Sequence, residues 1–294
     1  MVPTTPTLEY LTPRATRPVR SSSRIIGVLS FDRAGYGTAP AVRGIQHAMG
    51  DSGDFVSIVN VPVPSRRSVR TAVAQLRRLG VDGILAVAPQ TATVDALAAM
   101  LGDTPLVAVG PGPQDVLPAV AVDHYGAATA VTRHLLGLGH RTVFHLAGPT
   151  DRTGPGPRLT GWRDALLGAG AVVPLPLVGD CSAESGYKLA SRLASPSDVT
   201  AIFAASDQMA LGALRALFDA GRRVPQDVSV VGFDGTPQAE FFSPPLTTVS
   251  QNFIELGRRS LELLLTEIEV GPTGPTRETI PAELILRAST AAPA

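Results

Sequence analysis

The stretch 228–257, VSVVGFDGTPQAEFFSPPLTTVSQNFIELG, decides how the rest of the chain is read. It opens with an apolar run, 228–233, too short for a helix and rich in β-branched residues. The run stops on Asp234-Gly235, a turn pair, and a polar loop marked by Pro237, Pro244 and Pro245 follows. A second β-run at 246–249 leads through Ser250-Gln251 into a helical pattern. A strand that ends on an acid beside glycine is a common way to build a pocket in an open α/β sheet, because ligands sit just outside the carboxyl ends of the strands. Turn and cap chemistry would explain Phe-Asp-Gly by itself; the surrounding sequence gives it more weight.

Outward from this stretch, strands and helices alternate. Apolar β-runs at 25–30, 55–61, 83–88, 105–110 and 119–122 are separated by helical patterns near 40–50, 67–79 and 92–101, and a helix at 126–138 stops at Gly139. The pattern then restarts. Strands at 143–148, 176–178, 201–205 and 228–233 alternate with helices at 158–169, 183–194 and 208–220. A helix at 252–267, the loop GPTGPT at 271–276 and a strand at 280–286 complete the series. Alternation of this kind means parallel sheets covered on both faces, and two consecutive runs imply two doubly wound α/β lobes with a ligand cleft between them. Residues 1–24 differ: Pro3, Pro6, Pro13 and Pro18 stand among Arg14, Arg17, Arg20 and Arg24 against the single acid Glu9, and read as an exposed basic arm.

The totals narrow the function. With 294 residues the chain can bury a large core, and 25 basic against 25 acidic residues give no overall attraction to nucleic acid or to an acidic membrane. Any DNA contact is therefore expected to be local or to come from outside this chain. The single cysteine, Cys181, excludes an internal disulfide and a multi-cysteine metal site. No export signal is evident and no run is long enough to cross a bilayer, so a cytoplasmic protein without membrane contact is expected.

Enzyme signatures are missing. There is no phosphate loop of the GxxxxGK[ST] type and no GxSxG elbow. Gly110-Pro111-Gly112-Pro113 and Gly154-Pro155-Gly156-Pro157 carry proline where a dinucleotide loop needs backbone N–H groups. The histidines, His47, His124, His134, His140 and His145, lack metal spacing, and His134 and His140 are read as structural cations at a helix end. No cofactor, metal or catalytic residue is expected. What remains are polar residues near strand ends: Asp32 and Tyr36 after the first strand, Asp123, Arg158 at a helix start where the dipole disfavours a cation, Ser206, Asp234 and Gln251. Ser206 or Asp207 would serve as an N-cap in any case. Around an aromatic, such residues suit a poly-hydroxylated ligand, since several can hydrogen-bond two hydroxyls at once.

These residues lie in motifs that resemble the LacI/GalR family of bacterial transcriptional repressors. The opening stretch does so, as do GAATAVTRHLLGLGHRTVFHLAGP at 126–149, RLTGWRDAL at 158–166, AASDQMALGALRAL at 204–217, VDGIL at 81–85 and IPAELILRAST at 280–290. The resemblance runs in order over about residues 8–290. It implies a type I periplasmic-binding-protein-like core: an N-lobe of 25–138 plus 251–277 and a C-lobe of 139–250 plus 278–294, joined by three crossing strands and closing on a small effector, a sugar or nucleoside-like molecule. It implies effector contacts at Arg158, Ser206 and Asp234, with Phe233 and Gln251 close by, Phe31, Asp32 and Tyr36 facing them from the N-lobe, and Asp123 and Tyr125 near the cleft. Cys181 stands where the family often places a stacking aromatic, and a thiol cannot stack. The resemblance also implies a homodimer and operator DNA bound through a helix-turn-helix headpiece absent from this chain, with Arg17, Val19 and Arg20 in the hinge. Val19 takes the place of the leucine that the family wedges into the minor groove, and Pro18 before it weakens a hinge helix. The other reading is a stand-alone cytoplasmic sugar-binding protein with no role at DNA.

Overall fold

The alternation resolves into three sheets in a computed structural model, which describes residues 23–31, 37–50, 53–63, 65–88, 97, 100, 102–110, 117–149, 156–195 and 198–293. In chain order the first elements are β1 (Ile25–Phe31), α1 (Thr38–Met49), β2 (Phe55–Val61), α2 (Arg66–Arg78), β3 (Gly83–Val87), β4 (Leu106–Val109) and β5 (Ala119–Val122). Then come α3 (His124–Gly137), β6 (Phe144–Ala147), α4 (Pro157–Gly168), β7 (Leu177–Val178), α5 (Ala183–Ala194), β8 (Ala201–Ala204), α6 (Asp207–Asp219) and β9 (Ser229–Val231). A 3-10 turn at Pro237–Phe241 precedes β10 (Thr248–Gln251), α7 (Phe253–Val270), β11 (Arg277–Ile280) and β12 (Ala282–Ile285). Residues 92–96, within an expected helix, lie outside the described residues, as do the basic arm up to Ser22 and the loop with Asp32 and Tyr36.

One parallel sheet has the order β11-β5-β4-β3-β1-β2, and a second, also parallel, the order β7-β6-β8-β9. β10 and β12 pair antiparallel between them. Strands β3, β4 and β5 are buried at every position, as an all-apolar run covered on both faces must be. The chain is α/β with doubly wound parallel sheets of the type I periplasmic-binding-protein-like kind.

Local chemistry explains the elements. Ser65 and Ser68 form a reciprocal cap at the start of α2, and Val69, Ala72, Val73 and Leu76 bury one face of that helix while its arginines stay outside. Where α1 crosses α7, a Cβ on Gly44 would lie 1.9 Å from the Phe253 carbonyl oxygen, so only glycine lets the backbones meet. α5 and α6 repeat the device at Gly212, where a Cβ would lie 2.0 Å from the Ala183 carbonyl oxygen.

Two elements differ from the sequence reading. The expected strand at 280–286 is two strands in different sheets, divided at Pro281, which has no N–H to carry a ladder across. The helix expected with the N-lobe, now α3, packs instead on the second sheet. Ala127, Ala128, Val131 and Leu135 share a core with Trp162, Phe203, Phe233 and Val249. The chain thus passes between the two sheets at Asp123, again between β10 and α7, and a third time between β11 and β12.

Candidate functional site

The carboxyl ends of β6, β8 and β9 converge with the last residue of β10. β9 delivers Phe233 and Asp234. The aspartate has φ +114° and is 4% exposed, and it reaches an isolated parallel bridge to Ser250. A non-glycine residue in that region of φ is held by its surroundings, and such positions cluster at functional sites. Cys181, beyond β7, is another, at φ +70°.

Gly156 and Pro157 start α4 with an extended residue and a preset φ, which places Arg158 on the first turn facing β9. Its guanidinium carbon stands 3.9 Å above the Phe233 ring, Nη1 donates to the Ala205 carbonyl, and Nη2 is 3.5 Å from Asp234 Oδ1. The ring and the carboxylate supply what the helix dipole denies this cation. At 3.5 Å the ion pair is looser than a charge-assisted hydrogen bond. Gln251 Nε2 donates to the same Oδ1 at 3.0 Å, and Asp234 Oδ2 has no donor among the described residues. Burial pushes the Asp234 carboxyl up to about 7, against the pull of Arg158; the negative Asp207 nearby adds to the push, and Gln251 opposes it.

Ser206 caps α6 through its Oγ, which accepts from Met209 N at 3.1 Å and donates to the Cys181 carbonyl at 3.2 Å. The cap thereby ties the end of β8 to the loop after β7. The Cys181 sulfur lies over Gly148 at the end of β6, where a Cβ would approach it to 2.9 Å. Arg158, Phe233, Asp234 and Gln251 are thus in direct contact, with Ser206 and Cys181 on the neighbouring strand ends.

Among the described residues, the other expected contacts are not part of this group. Phe31 is wholly buried beside Leu29, Val61, Val69 and Leu76, and is a core residue of the first sheet rather than a cleft residue. Asp123 spends its carboxylate on the Gly126 N–H as the N-cap of α3. Tyr125 is 44% exposed and turns its hydroxyl to Asp164. Asp32, Tyr36, Arg17, Val19 and Arg20 lie outside the described residues. His134 and His140 are not helix-end cations: burial lowers both, and they tie the C-terminal segment down through Thr290 and Ala291.

Three buried residues do work that the sequence reading did not give them. His124 Nε2 donates to Gln251 Oε1 at 3.0 Å and meets the Phe233 ring edge-on at 5.3 Å; burial, then Arg158, bring its imidazole down to about 3. His145, on β6, is sandwiched between Phe203 and Trp162, and its Nε2 is buried with no partner among the described residues. Asp207 accepts from Thr236 N at 2.7 Å, Thr236 Oγ1 at 3.0 Å and Thr248 Oγ1. The available signal for His124 was its place directly after a strand end. Among the described residues no acidic or histidine cluster could hold a metal, and no helix is long and apolar enough to cross a membrane. A cavity of about 780 Å³ between α1 and the crossings is lined by Arg43, His47 and Glu283 and shares only Gln251 with the contacting group.

Chemically, the cluster offers a cation with its donors partly engaged, a carboxylate with one oxygen open, an amide and a hydroxyl. That set can hydrogen-bond a neutral molecule rich in hydroxyl groups.

Comparison with known proteins identifies the family. A periplasmic binding protein-like domain model matches residues 132–290. The HTH-type transcriptional regulator CelR of Thermobifida fusca is 40% identical over 180 residues, covering 60% of this chain and 53% of that protein. The lactose operon repressor of Escherichia coli K12 is 31% identical over 291 residues, covering 97% of this chain and 80% of the repressor. The chain therefore spans about half the length of the first of these relatives and four fifths of the second. The crystal structure of the lac repressor dimer bound to operator and the anti-inducer ONPF superposes with a TM-score of 0.84 at 30% identity, over 93% of this chain and 96% of that one. The complex of CelR with cellobiose superposes with a TM-score of 0.79 at 32% identity, over 91% and 85%. On sequence, fold and extent together, the chain belongs to the LacI/GalR family of bacterial transcriptional regulators.

Proposed function

We propose that this chain is the effector-binding core of a transcriptional repressor, and that the effector is a sugar or another poly-hydroxylated molecule held by Arg158, Asp234 and Gln251, with Ser206 and Cys181 alongside. The observation that carries the reading is the open Oδ2 of Asp234 at the end of β9, beside Arg158, whose ion pair with it is loose at 3.5 Å. Relatives caught with small molecules support it: CelR with cellobiose, and a LacI family regulator from Enterococcus faecium with ribose. Cys181 leaves the stacking position without an aromatic, which favours an effector gripped by its hydroxyls rather than by a flat face.

Binding shifts lobe closure by the difference between the effector's affinities for the two arrangements. We divide the lobes at the crossings: 25–122 with α7 and β11 on one side, and 123–250 with β12 onward on the other. The protein works as a homodimer in the cytoplasm, as the lac repressor structure bound to operator suggests. Operator contact runs through a headpiece outside this chain, with Arg17, Val19 and Arg20 leading to it. The relatives are regulators rather than enzymes, and we assign no catalysis.

A thermal-shift and calorimetry screen of cellobiose, lactose, ribose and nucleosides tests the reading. Asp234→Ala and Arg158→Ala should each weaken the hit by at least about tenfold, the cost of losing a hydrogen bond to a charged group. Unchanged affinity in both would remove the site from these residues.

A further inference from the structure

The contacts around Asp234 close into a ring. Arg158 meets Asp234, Asp234 accepts from Gln251, Gln251 meets His124, His124 packs edge-on to Phe233, and Phe233 lies under Arg158. Two members sit where the chain passes between the sheets: His124 directly after Asp123, and Gln251 at the end of β10. The other three belong to the second lobe. The atoms of the ring assign themselves. Above the midpoint near 7 Asp234 is ionised and can only accept, so the Gln251 amide must turn its NH₂ to it and leave Oε1 for His124. Nε2 of His124 must then carry the proton. Burial beside Arg158 keeps the imidazole neutral, so Nε2 holds this proton as the one N–H of the ring.

We propose that His124 is a positioning residue of the effector site: its Nε2–H fixes which end of the Gln251 amide faces Asp234, and it joins two inter-lobe crossings to the carboxylate that meets the effector. The inference rests on the effector-site reading for its function, but the geometry can be tested without any effector. If His124 loses its donor, Gln251 Oε1 is left buried and unpaired, which favours turning the amide over. An oxygen would then face Asp234, and the protonated acid, which can donate to it, would gain over the carboxylate. The charged groups facing Asp234 are Arg158 from α4 and Asp207 from α6; those acting on His124 are Arg158 and Arg277 of β11. None of them is altered by substitution at His124.

The test is a pH titration of the Asp234 side-chain carboxyl by carbon NMR on the whole labelled chain, with no ligand added. His124→Phe keeps the ring against Phe233 and removes the donor; the Asp234 midpoint should rise by about one pH unit, the size of a lost charge-assisted hydrogen bond. His124→Gln restores an N–H near the Nε2 position and should bring the midpoint back to the wild-type value. A His124→Phe midpoint equal to wild type, or a His124→Gln midpoint shifted as far as that of His124→Phe, would overturn the proposal, because a space-filling role predicts either. Should His124→Phe fail to fold, the wild-type protein decides. Its His124 Nε2 proton should appear as a slowly exchanging signal, with a cross-peak to the Gln251 side chain, at about pH 8, where Asp234 is ionised. Absence of that signal overturns the proposal. A failed sugar screen would end the effector reading while leaving these signals in place, so the two failures are distinguishable.

Discussion

The ends of β8 and β9 lie side by side, and each carries a buried aspartate, Asp207 and Asp234, but the surroundings give them different work. Asp207 is fully buried and takes three hydrogen bonds from Thr236 and Thr248, with its own N–H donating to the Phe233 carbonyl at 2.7 Å. Both oxygens of its carboxylate are used to lock the loop after β9 against β10. Asp234 has one firm donor, one loose cation and an open oxygen. Burial raises both acids, yet only one has its charge matched by fixed donors. The contrast teaches that an acid at a strand end is not a site by position. It becomes one when the protein leaves part of its hydrogen-bonding capacity unfilled.

The sharpest way to break that distinction is to remove the lock. Asp207→Ala strands a backbone N–H and two hydroxyls in the interior, a loss of about 3 kcal/mol. For a chain of this size the melting temperature should fall by roughly 10 °C, read by circular dichroism. A fall of a degree or two would mean that Asp207 is no more a lock than Asp234 is.

Asp234→Asn should act in the opposite direction. In the unfolded chain the carboxyl has an ordinary value of about 3.8, and burial pushes it up to about 7 when folded. The folded state therefore holds the proton longer, and stability falls as pH rises from about 4 through 7. Asparagine has no proton to lose. The variant should match the wild type near pH 4 and exceed it by about 2 kcal/mol at pH 8, discounted for the coupling to Asp207. Melting curves of the two proteins across that range check the sign, and parallel curves would show that Asp234 is not held against its charge. The same substitution should weaken effector binding, so stability and function part at this residue.

Much of this was readable in the sequence, and the unread parts share a cause. Strand ends could be placed because apolar β-runs stop on Gly, Asp or Ser, and Arg158 drew notice because a helix start repels a cation. Phe31 was misplaced although its signal was present: it follows Leu29 at strand period and so shares the core face. Pro281 likewise announced a break in 280–286. The amphipathic pattern of α3 says that one face is buried, but not against which sheet, and only the packing of Ala128 and Val131 beside Trp162 decides that. His124 was beyond reach for a further reason. Its partner Gln251 stands 127 residues away, and a search for metal spacing asks the wrong question of a histidine that serves as a neutral donor.

Tyr125 gives the finest test, because it is the neighbour of His124 and turns the other way. His124 is 7% exposed and points into the ring around Asp234, whereas Tyr125 is 44% exposed and makes one long contact to Asp164 at 3.4 Å. A hydrogen bond of that length in water contributes little, so Tyr125→Phe should change stability by less than about 0.5 kcal/mol. Effector affinity, measured by calorimetry on the hit from the sugar screen, should stay within about twofold. A tenfold loss would instead place the phenol in the site. The effector would then reach past the strand ends to the first turn of α3, and the site could no longer be confined to the unfilled bonds of Asp234.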